Sequence, residues 1–227
     1  MLTLTLDARD AIRLAQFWAG LLGRKVVENA DGALVPGDDT QIGLTFVPGD
    51  SVKAGPNRVH LHLTSTDLAD QQQTVAKALG LGGRHIDVGQ RPGEGHIVLA
   101  DPEGNEFCVI EPGNNFLAGC GFLGELACDG TREVGLFWSK ALGWPLVWDQ
   151  DEETAVQSPH GGTKVAWGGP PLEPKKGRNR QRFELSLAEG GVERLVSLGA
   201  TRLGTAADGT VDLLDPDGNE FSVVPRQ

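Results

Sequence analysis

Two histidines, His60 and His62, stand two residues apart in the alternating segment RVHLHLT, and Cys108 lies in the apolar run EFCVIE. In an extended strand a spacing of two puts both imidazoles on one face. Imidazole nitrogens and a thiolate are donors that zinc accepts. A thiol beside a histidine base can also act as a nucleophile. The blander alternatives are hydrogen-bonded histidines lining a pocket and a cysteine acting as a small apolar filler. No third residue that would orient such a base stands out, so the sequence assigns no catalytic residue.

The elements that must position these groups are written in the hydrophobic pattern. Leu2, Leu4 and Leu6 alternate with Thr3, Thr5 and Asp7, which predicts a half-buried strand with its polar face toward a cavity or solvent. Residues 10–22 carry Ile12, Leu14, Ala15, Trp18, Leu21 and Leu22 at helical spacing, with Asp10 as N-cap and Gly23 as stop. Short strands follow in KVVEN, ALVPG and QIGLTFV, separated by Gly and Asp turns. The order then restarts: strand RVHLHLT, helix DLADQQQTVAKALG, and strands HIDVG, HIVLA and EFCVIE.

The whole plan is then repeated. FWAGLLG (17–23) returns as FWSKALG (137–143), NRVHLHL (57–63) as NRQRFEL (179–185), and DPEGNEFCVIEP (101–112) as DPDGNEFSVVP (215–225). Landmarks recurring in order with drifting spacing indicate a duplicated module with loop insertions. We read module one as 1–112, a linker as 113–121 and module two as 122–227. The predicted class is α+β: two tandem modules, each of two βαβββ units forming a curved mixed sheet with helices on its apolar side. In each DPxGN turn proline pre-sets the bend and glycine supplies a conformation other residues resist. The turn is therefore structural, and the carboxylates around it (Asp101, Glu106, Glu111, Asp215 and Glu220) read mostly as solvated loop charges.

Composition narrows the function classes. The 227 residues are 39% hydrophobic and 22% charged, as in ordinary globular proteins, with a formal net charge of −11. That charge repels a phosphate backbone, and the densest basic run, KKGRNRQR, reads as a solvated loop, so nucleic acid is not an expected partner. No run has the length of a membrane span, and MLTLTLDARD lacks the pattern of a signal peptide. Three cysteines, an odd number, favour reduced thiols and a cytoplasmic protein.

The paired βαβββ modules ending in DPxGN and a last strand resemble the vicinal oxygen chelate superfamily, which includes glyoxalase I, extradiol dioxygenases and bleomycin-resistance proteins. The resemblance is strongest to its tandem glyoxalase-like branch. It implies a concave site whose divalent ion (Zn, Ni, Mn or Fe) would be held by His, Gln or Glu from the first strand, the strand closing the first unit, the strand opening the second unit and the last strand. Carried over, those positions read Thr3, Gly43, His60 and Cys108 in module one, and Leu123, Lys164, Arg182 and Ser222 in module two. Neither set is the usual one, so the resemblance implies no full metal site; any ion would fall to His60, His62 and Cys108. If the modules exchange partners, only Glu125 could add a carboxylate beside His60 and Cys108, and that needs a shift of register. We therefore expect a small-molecule-binding protein with a pocket lined by Thr3, Thr5, His60, His62 and Cys108. The alternative is a metal-dependent lyase, isomerase or dioxygenase using His60. Glu125, Lys164, Arg182 and Glu184 read either as a salt-bridged plug or as a grip for an anion. Trp144, Trp148 and Trp167 could floor a pocket for a flat ligand. The modules are expected to pack as an intramolecular pseudo-dimer, with a homodimer also open.

Overall fold

The computed structural model describes residues 2–50, 53–91 and 93–225, so the outer module limits at 1 and 227 lie outside the described residues. The first module runs β1 (Leu2–Ala8), α1 (Ala11–Leu22), β2 (Val27–Asn29), β3 (Gly32–Val35) and β4 (Gly43–Pro48). It continues with β5 (Val59–Leu63), α2 (Leu68–Gly80), β6 (Arg84–His85), β7 (Ile97–Ala100) and β8 (Glu106–Val109). The second repeats the order as β9 (Leu123–Cys128), α3 (Arg132–Leu142), β10 (Leu146–Gln150), β11 (Glu153–Gln157) and β12 (Lys164–Trp167). It ends with β13 (Gln181–Leu187), α4 (Gly191–Ser197), β14 (Thr201–Thr205), β15 (Val211–Leu214) and β16 (Glu220–Pro225). The expected strand HIDVG shrinks to Arg84–His85, because Asp87 turns its carboxylate back onto the Gly89 amide (2.8 Å) and ends the pairing.

Among the described residues sixteen strands form two eight-stranded mixed sheets, ordered β14-β15-β16-β13-β1-β4-β3-β2 and β10-β11-β12-β9-β5-β8-β7-β6. Replacing every strand by its counterpart in the other module turns one order into the other, as a pseudo-twofold requires. Each sheet draws one βαβββ unit from each module: β1 pairs antiparallel with β13, and β9 with β5. The polar faces of Thr3 and His62, both in module one, therefore belong to different sheets.

Burial explains the local elements. Leu2, Leu4 and Leu6 are buried against α1, whose Leu14, Phe17, Trp18 and Leu21 form its inner face. Asp10 caps that helix by accepting from the Arg13 amide (3.0 Å), and Gly23 closes it at φ 69°. Trp18 packs edge-on against Phe107 at 5.0 Å and donates its indole N–H to Asp101 (3.1 Å). Trp138 repeats this with Phe221 (5.0 Å) and Asp215 (3.3 Å).

The DPxGN aspartates are thus not the solvated charges the sequence suggested. Asp101 is fully buried and accepts from Asn105 Nδ2 (2.8 Å) and from the Glu103 and Asn105 amides (3.0 and 2.9 Å). Burial raises its pKa to about 6 against the pull of these hydrogen bonds. The carboxylate organises the turn, and Gly104 and Gly218 supply the φ of 84° and 76° that it needs.

All three cysteines are free: Cys108 on β8, Cys128 on β9 and buried Cys120 between the modules. Titration of thiols in denaturant, without reductant, is expected to find three per chain. A count of one would mean that a disulfide has formed. Among the described residues no helix is long and apolar enough to cross a membrane.

Candidate functional site

A single ion or a small ligand head must meet side chains that stand level across neighbouring strands. In the second sheet one such row crosses the four central strands: Lys164 opposite Glu125, Glu125 opposite His62, and His62 opposite Cys108. The row corrects two of the positions read from the sequence. His62, rather than His60, stands level with Cys108, and Glu125 replaces Leu123. The cause of the second change is an irregularity between β5 and β9 just past His62, which pairs Leu63 with Leu123 across Gly124. Both leucines turn into the core, and Glu125 is left on the open face.

Glu125 accepts from His62 Nδ1 at 2.7 Å, with the two side chains 9% and 20% exposed. Burial alone would lower the imidazole pKa, but its interactions with Cys108 and Glu125 prevail and raise it to about 10. His62 is accordingly a cation at neutral pH. Lys164 turns its ammonium away from this pair, donating to the Phe116 carbonyl and lying 4.2 Å from the centre of the Phe116 ring. His60 stands level with Ala127, and burial lowers its pKa and keeps it neutral, with Nε2 buried and unpartnered.

Beside the row opens a cavity of about 680 Å³. Ala127, Ala166, Glu125 and Lys164 belong to its strand wall, and Phe116 and Trp148 to its rim. The two aromatic rings meet edge to face at 5.9 Å. Phe116 comes from the segment that the sequence offered only as a linker. Trp148 and Trp167 line the cavity as considered, whereas Trp144 packs against the core instead.

The five residues expected to share a pocket are divided between the sheets. His60, His62 and Cys108 lie on the second, and Thr3 and Thr5 on the first. There the level row is Gly43, Thr3, Glu184 and Ser222. Thr3 donates to Glu184 (3.4 Å), whose carboxyl pKa burial raises, and Ser222 donates to Asp212 (2.7 Å). Beside them Arg182 grips Asp7 with two bonds of 2.7 Å, both side chains being under 10% exposed. The four module-two charges therefore form no single plug. Arg182 and Glu184 serve the first sheet, and Glu125 and Lys164 the second. Asp7, the third polar residue of its strand face, is the partner that sequence reading missed.

The glyoxalase-like domain matches the chain twice, over residues 3–110 and 125–224. The chain belongs to the glyoxalase-like domain family. Among solved structures, glyoxalase I from Zea mays superposes with a TM-score of 0.65 at 14% identity, covering 99% of this chain and 92% of that one. A Bacillus subtilis subsp. subtilis str. 168 protein provisionally named a dioxygenase superposes at 0.59 with 12% identity, covering 98% and 84%. At these identities the likeness is one of fold. No curated protein sequence matches the chain.

The family resemblance raises the question of a divalent ion, and the donors of this glyoxalase-like chain do not fit one. In the second sheet one of the four level positions is Lys164, and Glu125 is already bonded to His62. The row through His60 offers Ala127 and Ala166, and the Glu106 carboxylate whose charge acts on His60 is bound to Lys53. In the first sheet glycine and two hydroxyls accompany one carboxylate. Among the described residues no three His, Cys, Asp or Glu side chains converge in a cluster able to hold a metal ion.

Proposed function

We propose that the chain binds a small, flat, largely apolar molecule in the 680 Å³ cavity of the second sheet, without a divalent metal. One observation carries the reading: the cavity is walled by Ala127 and Ala166 and flanked by the Phe116 and Trp148 rings, while the row beside it gives one of its four places to a lysine, which is no usual ligand for a dication. A cavity of this size suits a drug-sized ligand. Its alanine wall and the Phe116 and Trp148 rings favour a planar body, and Lys164 and Glu125 offer polar anchors. His62, Cys108 and His60 remain proposed ligand neighbours on that sheet. Thr3 and Thr5 would serve only a ligand of the other face. A metal-dependent lyase, isomerase or dioxygenase draws support from the adjacency of Glu125, His62 and Cys108, but it requires His62 to give up its proton.

Elemental analysis of the purified protein separates the readings. The expected result is substoichiometric Zn, Ni, Mn and Fe; one equivalent lost on His62→Ala would reverse it. A fluorescent naphthalene sulfonate should bind saturably and weaken by up to about tenfold in Trp148→Ala, the worth of one aromatic contact. Unchanged binding in that variant would remove the cavity from the proposal.

A further inference from the structure

We propose that the small cavity between the two inter-unit connections, the one before β5 and the one before β13, binds a phosphate-like tetrahedral oxyanion. The cavity measures about 50 Å³ and is lined from both modules. Seven of the described residues lining it are charged, and six of these are cations: Lys53, Arg58, Lys175, Lys176, Arg178 and Arg180, against Glu173 alone. In a chain of net charge −11 this is a local reversal of sign.

The pseudo-twofold pairs these groups. Lys53 binds Glu106, and its counterpart Lys175 binds Glu220 at 2.7 Å. Arg58 meets Asp129 at 3.2 Å, and Arg180 meets Glu103 at 3.6 Å. Both arginines also donate across the module boundary to a backbone carbonyl, Arg58 to Asp129 (3.5 Å) and Arg180 to Asp7 (3.3 Å). These acids satisfy part of the charge, yet donors are left over. The Nε–H groups of Arg58 and Arg180 are buried without a partner, in side chains only 10% and 7% exposed. Buried Gln181, which also lines the cavity, leaves both its amide atoms unpartnered.

Buried donors without acceptors are rare in native proteins, and a leftover guanidinium N–H is best met by an oxyanion. The space would hold about three or four waters, which is the size of a phosphate group and too small for a sugar or ring. Any organic remainder must therefore stay outside. Such an ion would tie the entrance of β5, the strand of His60 and His62, to that of β13.

Isothermal titration with inorganic phosphate at neutral pH tests the site. The expected result is saturable binding and a higher melting temperature, with sulfate behaving alike. Arg58→Lys keeps the charge but removes Nε–H and should weaken binding about tenfold, as should the exposed pair Lys176→Ala and Arg178→Ala. Arg202→Ala, an exposed cation on β14, should leave it unchanged. A sugar phosphate that binds more tightly than inorganic phosphate would identify an organic phosphate as the source, and equal affinity would point to the free ion. No saturable phosphate or sulfate binding by the folded protein, or equal binding by all variants, overturns the site and leaves the cavity to water.

Discussion

Arg182→Ala is expected to lower the free energy of unfolding by about 4 kcal/mol, the scale for removing one partner of a buried ion pair. Arg182 holds Asp7 by two parallel bonds of 2.7 Å, and Asp7 is 8% exposed. Truncation leaves that carboxylate in a site where water reaches it poorly. The two residues come from different modules and share the face of the β1/β13 pair, so the loss falls on the seam of the first sheet. Urea denaturation at neutral pH measures it. Replacing both partners with apolar residues, Asp7→Leu with Arg182→Met, should cost far less than either change alone, because no charge is then stranded. A single-variant loss below about 1 kcal/mol, the worth of an exposed pair, would refute the buried bridge.

Glu125→Gln is expected to cost on the order of 3 kcal/mol near neutral pH and to change how stability depends on pH. The His62 pKa is raised from 6.5 to about 10 in the folded protein. A base whose pKa is raised on folding contributes its full stabilisation below its unfolded pKa. That contribution is therefore complete below about pH 6.5 and is lost as pH climbs toward 10. In Glu125→Gln this decline should flatten, since the carboxylate that helps hold the proton is gone. Imidazole NMR across pH 5–11 gives the direct reading. An imidazole that titrates near its ordinary value in the unaltered protein would sink the pair.

Much of the architecture was legible in the sequence because it depends on local periodicity. Leu2, Leu4 and Leu6 alternate against Thr3, Thr5 and Asp7, and the strand buries the leucines. Phe17 and Trp18 recur as Phe137 and Trp138, and both pairs lie in the core. The glycines of the DPxGN turns predicted left-handed backbone, and Gly104 and Gly218 adopt it. Each of these depends on a few neighbouring residues and on whether a side chain prefers water.

The site depended on which strands meet and at what register, and periodicity does not carry that information. The two units of a module have the same pattern, so β1 could satisfy its open edge with either module's second unit. Packing selected β13, which moved Thr3 and Thr5 away from His62 and placed Arg182 beside Asp7. Alternation put Leu123 and Glu125 on one face, but the irregularity at Gly124 turned Leu123 inward with Leu63. The 2.7 Å contact between Glu125 and His62, from different modules, follows from the unbroken register of Val59 to His62 against Cys128 to Glu125. The sequence by itself determined the elements, the repeat and the apolar faces, because burial acts residue by residue. The tertiary structure alone decided the exchange of partners, the level rows and the ion pairs, because those depend on contacts between distant segments that many pairings could satisfy locally.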